Sequence, residues 1–304
     1  MNILLVAFGA ALLYAGGEVL VRNAVLLARA TGRRPLTVGL TVVALATSAP
    51  ELATTLAANL RGAPEAALGN VVGSNIANLG LVLGLVALLM PLHPEKRLLR
   101  REMPFAIAAT ALLFVLLAGG ALGRAGSAIL LALLAAYLMM QSGGATSGEV
   151  PDEGGTESPW LALLGVGLGA ALLVAGGQAL VEGATGLARA LGITERVIGL
   201  TVVAVGGGLP ELAGSVVAAL RRQGDLILGN LIGSNVFNTL FVLGVSGLAR
   251  PLEVDVASFR LDLWTMLGLT VLVLIFLATG RRLGRREGLV LVTLYAVYVA
   301  SLFG

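Results

Sequence analysis

Apolar residues run along this chain in long stretches, and most polar residues lie in the short segments between them. About 20 apolar residues in an α-helix are enough to cross the roughly 30 Å hydrocarbon core of a bilayer. Because backbone groups in lipid must be satisfied within their own segment, these stretches are predicted to be helices. Ten spans are predicted, over residues 3–28, 36–60, 66–90, 104–118, 122–141, 160–188, 196–220, 226–248, 262–279 and 287–303.

The composition indicates an integral membrane protein. Of the 304 residues, 57% are hydrophobic and only 12% are charged, whereas soluble domains carry about 25% charged residues. That deficit excludes a soluble enzyme, and a net charge of only +3 argues against a nucleic-acid-binding protein. The chain has no cysteine and one histidine. Thiolate and imidazole clusters are therefore excluded, and any ion would be bound by oxygen atoms.

Basic residues in the short loops predict the orientation, since lysine and arginine concentrate on the cytoplasmic side of a membrane. Loops after odd-numbered spans carry about 13 of them and the opposite loops about 6. Both termini are therefore expected outside the cytoplasm, in a multi-pass protein of the cell (inner) membrane. Residues 142–159, rich in glycine, serine and acids, are expected to form a flexible cytoplasmic linker.

The chain contains an internal repeat with an offset of 160 positions. The segment GLTVVALATSAPELA (39–53) aligns without a gap with GLTVVAVGGGLPELA (199–213), and LGNVVGSNIAN (68–78) aligns with LGNLIGSNVFN (228–238). Each half holds five predicted spans, an odd number, so the second half enters the membrane in the opposite sense. The predicted fold is an all-α membrane protein of ten transmembrane helices in two inverted five-helix repeats, 1–141 and 160–304. Such repeats, with a site at the midplane, are typical of secondary transporters.

Two acidic residues lie in the middle of predicted spans. Glu51 and Glu211 each follow a proline, and a charge at bilayer depth is so costly that intramembrane carboxylates are functional candidates. Proline has no N–H to donate and therefore frees carbonyl oxygens about one turn earlier in its helix. In a broken helix that lines a cavity, such oxygens can bind ions.

The spans that follow add neutral oxygen atoms. Ser74 and Asn78, and likewise Ser234 and Asn238, are four residues apart and are expected on one helical face. Carboxylates, carbonyls, hydroxyls and amides together suit a hard cation. Ca²⁺ takes about six to eight oxygen ligands and is neutralised by two carboxylates, whereas Mg²⁺ demands a stricter octahedral geometry.

The motifs ATSAPE (46–51) and GNVVGSN (69–75), with their second copies, resemble those of the cation/Ca²⁺ exchanger superfamily, closest to its prokaryotic sodium/calcium exchanger branch. The resemblance implies an antiporter that exchanges Ca²⁺ for Na⁺ by alternating access, with no cofactor and no obligate protein partner. It also implies that the first and sixth helices slide during transport. The implied Ca²⁺ ligands are Glu51, Glu211 and the carbonyls of Thr47 and Gly207. For the sodium-loaded state it implies Ser48, Ser74, Ser234 and the carbonyls of Ala44 and Ala204, with Asn78 and Asn238 bordering the central position.

The second repeat departs from the family pattern at Gly206, Gly207 and Gly208, where Gly-Thr-Ser is usual. A main-chain ligand at position 207 is compatible with glycine, but the hydroxyl expected at position 208 is absent. Ca²⁺/H⁺ exchange, with protonation of a glutamate replacing sodium, therefore stays open as an alternative. A cation channel or a non-transporting membrane sensor is a second alternative, of a different class. Glu18 and Arg22 are four residues apart in the first span, and a structural ion pair between them is favoured. A gating contact, or charges that line an aqueous vestibule, are the alternatives.

Overall fold

The structure of the chain, a computed structural model, describes residues 2–142, 158–193, 206–280 and 282–302. Three predictions fall wholly or partly outside these ranges: most of the linker 142–159, the first part of the span 196–220, and the carbonyl of Ala204.

The described residues are almost entirely helical. Within the described residues, four π-helical turns interrupt or precede the α-helices, at Gly39–Val43, Asn78–Val82, Leu98–Glu102 and Asn238–Val242. The helices are α1 (Asn2–Ala30), α2 (Pro35–Val38), α3 (Ala44–Thr47), α4 (Ala49–Leu60), α5 (Pro64–Ala77), α6 (Leu83–Leu89), α7 (Met103–Leu117), α8 (Arg124–Ser142), α9 (Pro159–Ala190), α10 (Leu209–Leu220), α11 (Gly224–Phe237), α12 (Leu243–Ala249), α13 (Arg260–Gly280) and α14 (Arg285–Ser301).

Six helical segments of the described residues are long and apolar enough to cross a membrane, or seven if the bent pair Pro35–Thr47 and Ala49–Leu60 counts as one span. The remaining apolar helices α7, α10 and α14 are shorter. The membrane-protein class is confirmed, and the count of ten spans stays a prediction. The six segments are Asn2–Ala30, Pro64–Leu89, Arg124–Gln141, Pro159–Ala190, Gly224–Ala249 and Arg260–Gly280.

The two segments that carry the repeated Gly-Ser-Asn motif form the centre of the molecule. The apolar stretch of Gly224–Ala249 is 94% buried and that of Pro64–Leu89 is 67% buried, against 28% for α1 and 39% for α9. The central segments therefore contact protein on most sides. The outer helices leave large apolar side chains exposed, among them Leu4 and Trp160, as lipid contact requires.

Helices α1 and α9 pack antiparallel along their length, and glycines permit their close approach. A Cβ atom at Gly16 would lie 2.8 Å from the backbone nitrogen of Leu173, and one at Gly176 would lie 2.7 Å from that of Leu13. Only glycine fits at either position. The two contacts are related by the offset of 160, and such reciprocal pairs are what a two-fold axis generates.

Two short antiparallel pairings tie loops of the two halves together. Strand β1 (Ala121–Leu122) pairs with β2 (Leu252–Glu253), so that Leu122 lies opposite Leu252. An isolated bridge joins Leu92 and Leu283. Leu92 is the counterpart of Leu252 in the repeat, so each half contributes the same loop position to a similar pairing.

Candidate functional site

Broken helices place both candidate carboxylates in the first turn of a helix. The segment Pro35–Leu60 bends by 42° at Ser48, and Glu51 lies in the first turn of α4. In the second half, a turn at residues 207–208 precedes α10, and Glu211 lies in its first turn. Helix N-termini present free N–H groups and a positive dipole end, which favour carboxylates. The proline-associated breaks predicted from the sequence are therefore present.

The structure brings the two carboxyl groups together. Glu51 is 7% exposed and Glu211 is 2% exposed, and the side chains lie within hydrogen-bonding reach of each other. The Oε2 atom of each has no hydrogen-bond partner among the described residues. Two neighbouring carboxylates in a dry site cannot both stay ionised without a counter-charge. A cation between them would supply that charge and satisfy the unpaired oxygens.

A cavity of about 420 Å³ leads to Glu51 between the two halves of the chain. It brings together three of the predicted site residues, Glu51, Ser74 and Gly207. Its polar and acidic lining side chains can contact a hydrated cation. The lining residues are Pro50, Glu51, Thr54, Asn70, Ser74, Val174, Gly177, Gln178, Val181, Glu182, Gly206, Gly207 and Pro210.

Thr47 and Ser234, which do not line this cavity, contact each other. The Thr47 hydroxyl donates to Oδ1 of Asn230 at 3.2 Å and lies 3.1 Å from the hydroxyl of Ser234. The carbonyl of Ala44 accepts the backbone N–H of Ser48 at 2.9 Å. The Ser48 hydroxyl, which is buried, has no partner among the described residues. It is therefore free to bind an ion.

Asn78 and Asn238 belong to an amide network that joins the two halves. Asn78 Nδ2 donates to Asn235 Oδ1 at 3.1 Å, and Asn238 Nδ2 donates to Asn75 Oδ1 at 3.2 Å. Asn75 Nδ2 and Asn235 Nδ2 each donate to the backbone carbonyl of the other residue, at 3.4 and 3.1 Å. Every one of these bonds has its counterpart at the offset of 160. The Oδ1 atom of Asn238 has no partner among the described residues.

Sequence reasoning missed four asparagines of this region. Asn75 and Asn235 hold the network together, Asn70 lines the cavity, and Asn230 contacts Thr47. All four lie in the repeated Gly-Asn…Gly-Ser-Asn motif. Their recurrence in both copies was a signal that could have identified them.

A second, much smaller cavity lies at the counterpart position of the repeat. Its volume is about 10 Å³, and Val21, Gly214 and Asn230 line it. These residues correspond, at the offset of 160, to Val181, Thr54 and Asn70 of the large cavity. Both cavities lie between the two halves of the chain; the one beside Asn70 is open, and the one beside Asn230 is nearly closed.

The predicted ion pair between Glu18 and Arg22 is wrong. Glu18 instead pairs with Arg221, which follows α10, at 3.1 Å between Nε and Oε1. The reason is that α1 packs against α10. The Glu18 side chain therefore meets a basic partner across that interface, while Arg22 is exposed.

Comparisons with known proteins agree with this geometry. A family model described as "Sodium/calcium exchanger protein" matches residues 1–143 and 161–304. The chain belongs to the sodium/calcium exchanger family. It is 38% identical to the CaxA protein of Alkalimonas amylolytica over 98% of this chain and 97% of that one. It is 32% identical to the sodium/calcium exchanger MaX1 of Methanosarcina acetivorans over 100% of this chain and 99% of that one.

A solved structure of the sodium-calcium exchanger NCX_Mj, soaked with Na⁺ and without Ca²⁺, has a TM-score of 0.85 to this chain. The two are 31% identical, and the match covers 99% of this chain and 98% of that one. The resemblance stated from the motifs is confirmed. The family is one of membrane transporters, and membership of it supports cation/Ca²⁺ antiport.

Proposed function

We propose that the protein exchanges Ca²⁺ for Na⁺ by alternating access, with Glu51 and Glu211 as the shared binding site. The observation that carries this proposal is the pair of buried carboxyl groups that face each other beside an open cavity. Ca²⁺ would be ligated by both carboxylates and by the carbonyls of Thr47 and Gly207. The two negative charges of the carboxylates would balance the charge of the ion. Sodium ions would use the oxygens of Ser48, Ser74, Ser234, Ala44 and Ala204.

Mutually exclusive occupancy follows from electrostatics. The unpaired glutamate oxygens must be neutralised before the site can be enclosed, either by one divalent ion or by several monovalent ions. An empty site leaves like charges buried without compensation. The protein therefore changes state only with cargo bound, which produces exchange rather than leak. This coupling argues against the cation channel, in which uncoupled flow would need no such neutralisation.

The two unequal cavities support alternating access. One is open, at about 420 Å³, and its counterpart is closed, at about 10 Å³. If the two halves are inverted repeats, exchanging their local conformations would close the first cavity and open the second around the same carboxylates. Close packing at glycines joins α1 and α9 along their length, so the two helices are expected to move together as one pair against the central segments.

The proposed topology has ten spans, in repeats 1–141 and 160–304 joined by the cytoplasmic linker 142–159. Both termini lie outside the cytoplasm. The reciprocal contacts of Asn75 with Asn235 support a two-fold relation between the halves. With this orientation, the large cavity opens on the extracytoplasmic side, because Thr54 and Asn70 lie towards the loop at residues 61–63. An inner-membrane location fits this basic-residue distribution.

Sodium is the proposed counter-ion, for two reasons. The relatives MaX1 and NCX_Mj are sodium/calcium exchangers by name, and the unpartnered hydroxyl of Ser48 is an oxygen that a sodium ion can use. The alternative, Ca²⁺/H⁺ exchange, is favoured by one observation, the absence of a hydroxyl at Gly208. Protonation of one glutamate would then replace sodium.

A flux assay in proteoliposomes separates the two couplings. With equal pH on both sides, an outward Na⁺ gradient is expected to drive Ca²⁺ uptake, because sodium leaving the site exposes it to Ca²⁺. Liposomes that contain the Glu51→Gln variant provide the background rate. Absence of uptake under the Na⁺ gradient, together with uptake under an outward proton gradient, would establish proton coupling instead.

A further inference from the structure

We propose that the Thr47 hydroxyl is a positioning group that holds one side of the transporter closed, and that the chain lacks the equivalent group for the other side. The equivalent position is Gly207. The protein is then biased towards the state in which the cavity beside Asn70 and Ser74 is open. This inference rests on the proposed alternating access and adds an energetic asymmetry to it.

The closing contact is buried and specific. The hydroxyl of Thr47 contacts Asn230 Oδ1 at 3.2 Å and Ser234 Oγ at 3.1 Å. All three side chains are buried. Just beside them, a Cβ atom at Gly233 would lie 2.8 Å from the Cβ atom of Ala44. The helices therefore touch here, and the hydroxyl joins them.

The residues at the offset of 160 are separated by the open cavity. Gly207, Asn70 and Ser74 correspond to Thr47, Asn230 and Ser234, and all three line that cavity. Asn70 uses its Nδ2 group to donate to Thr55 Oγ1 at 2.9 Å. The Oδ1 atom of Asn70 thus corresponds to Asn230 Oδ1, which accepts a hydrogen bond from Thr47. When this side closes, a glycine at position 207 has no hydroxyl to donate to it.

An ion pair provides independent evidence for the same asymmetry. Glu18 on α1 pairs with Arg221 after α10, across the side that is closed. The corresponding residues on the other side are Gln178 and Arg61. Gln178 is uncharged, so the ion pair has no counterpart at the same positions; the nearest acid on α9 is Glu182, one turn further on, which also lines the open cavity. Arg221 is largely exposed, so this pair contributes less than the buried contact of Thr47.

Packing among the described residues does not require glycine at position 207. A Cβ atom there meets no atom of these residues within 4 Å, whereas one at Gly206 would run into Cγ2 of Val181. A threonine at position 207 is therefore expected to fit in the open state. Its hydroxyl would find Asn70 and Ser74 only when the cavity closes.

Cysteine accessibility measures this bias directly, because the natural chain contains no cysteine. Thr54→Cys places a thiol on the wall of the open cavity, and Ser215→Cys places one on the wall of its closed counterpart. Each variant is reconstituted with saturating Ca²⁺, so that the loaded protein can change state. The rate of modification by a membrane-impermeant methanethiosulfonate reagent is then measured from each side.

Adding Gly207→Thr is expected to slow modification of Thr54→Cys and to speed modification of Ser215→Cys. Each shift is expected to be roughly 2- to 10-fold, the effect of one net buried hydrogen bond. The matched control is Gly207→Val, which has the same shape as threonine without the hydroxyl. It is expected to leave the ratio of the two rates near the ratio measured with Gly207 unchanged. Thr47→Val, which removes the existing contact, is expected to shift the ratio in the same direction as Gly207→Thr.

The outcomes separate this inference from the proposed function. If Gly207→Thr and Gly207→Val change the ratio equally, or neither changes it, the asymmetry does not come from the hydroxyl. The inference then fails, while the proposed function is unaffected. If Ser215→Cys is never modified in any of these backgrounds while Thr54→Cys always is, the second cavity does not open. Alternating access itself would then be refuted.

Discussion

Replacing Glu51 by glutamine is expected to lower Ca²⁺ exchange by about 100-fold or more. The substitution keeps the size of the side chain and removes one of two buried negative charges that face each other. A bound Ca²⁺ would then carry an uncompensated charge in a site away from water, which is strongly unfavourable. Glu211→Gln is expected to have the same effect. The measurement is the initial rate of Ca²⁺ uptake into proteoliposomes under an outward Na⁺ or proton gradient.

Glu65→Gln is the matched control for that experiment. Glu65 lies in the first turn of α5, as Glu51 does in α4, but it is exposed. Its replacement makes the same chemical change without touching the site and is expected to leave the rate unchanged. Normal exchange by Glu51→Gln under both gradients would show that this carboxylate is not a ligand.

Replacing Arg97 by methionine is expected to lower the free energy of unfolding by about 3–5 kcal/mol. Arg97 Nε lies 3.1 Å from Oε1 of Glu102, whose side chain is 0% exposed. Gln141 Nε2 donates to the other carboxylate oxygen at 2.7 Å. Loss of the guanidinium leaves a buried carboxylate with only a neutral partner. The change is measured as a lower midpoint of denaturant unfolding in detergent.

The double variant Arg97→Met with Glu102→Gln tests the cause of that loss. It removes both charges together, so most of the lost stability is expected to return. Arg100→Met, at an exposed position of the same segment, is expected to change stability by less than about 0.5 kcal/mol. If the double variant is as unstable as Arg97→Met alone, the loss comes from packing of the arginine side chain and not from the unpaired charge.

Much of the fold could be predicted from the sequence because lipid imposes a strong constraint on each helix separately. Helices α1, α9 and α13 begin and end within two residues of the predicted spans. Their exposed apolar faces and charged flanks define these limits locally. The helix breaks before Glu51 and Glu211 could also be predicted from the adjacent proline alone, because proline removes a backbone donor wherever it occurs.

Which helices pack against each other could not be predicted in the same way. Glu18 was assigned to the nearest basic residue along the helix, yet it pairs with Arg221 about 200 positions away, because α10 packs against α1. The amide network of Asn75 and Asn235 likewise depends on two motif copies meeting at the centre. The repeat predicts that the two copies are related, but the open side became evident only from the contacts of Thr47 and the cavity beside Gly207.

That difference between the halves is a property of the conformation. Thr47 contacts Asn230, whereas Gly207 lines a cavity beside Asn70, although the segments on either side of positions 46–49 and 206–209 match closely. In an alternating-access transporter, two equivalent segments must differ in any one state. A repeat in the sequence predicts the pair of states, and only a structure shows which of them is occupied.

The most direct test of the account is the number of Ca²⁺ ions that the purified protein binds at equilibrium. One ion per chain is expected, lost in Glu51→Gln and equally lost in Glu211→Gln. The double variant is expected to show no further loss, because both carboxylates bind the same ion. Two ions per chain, with one remaining at its natural affinity in each single variant, would show that the carboxylates belong to separate sites and would contradict it.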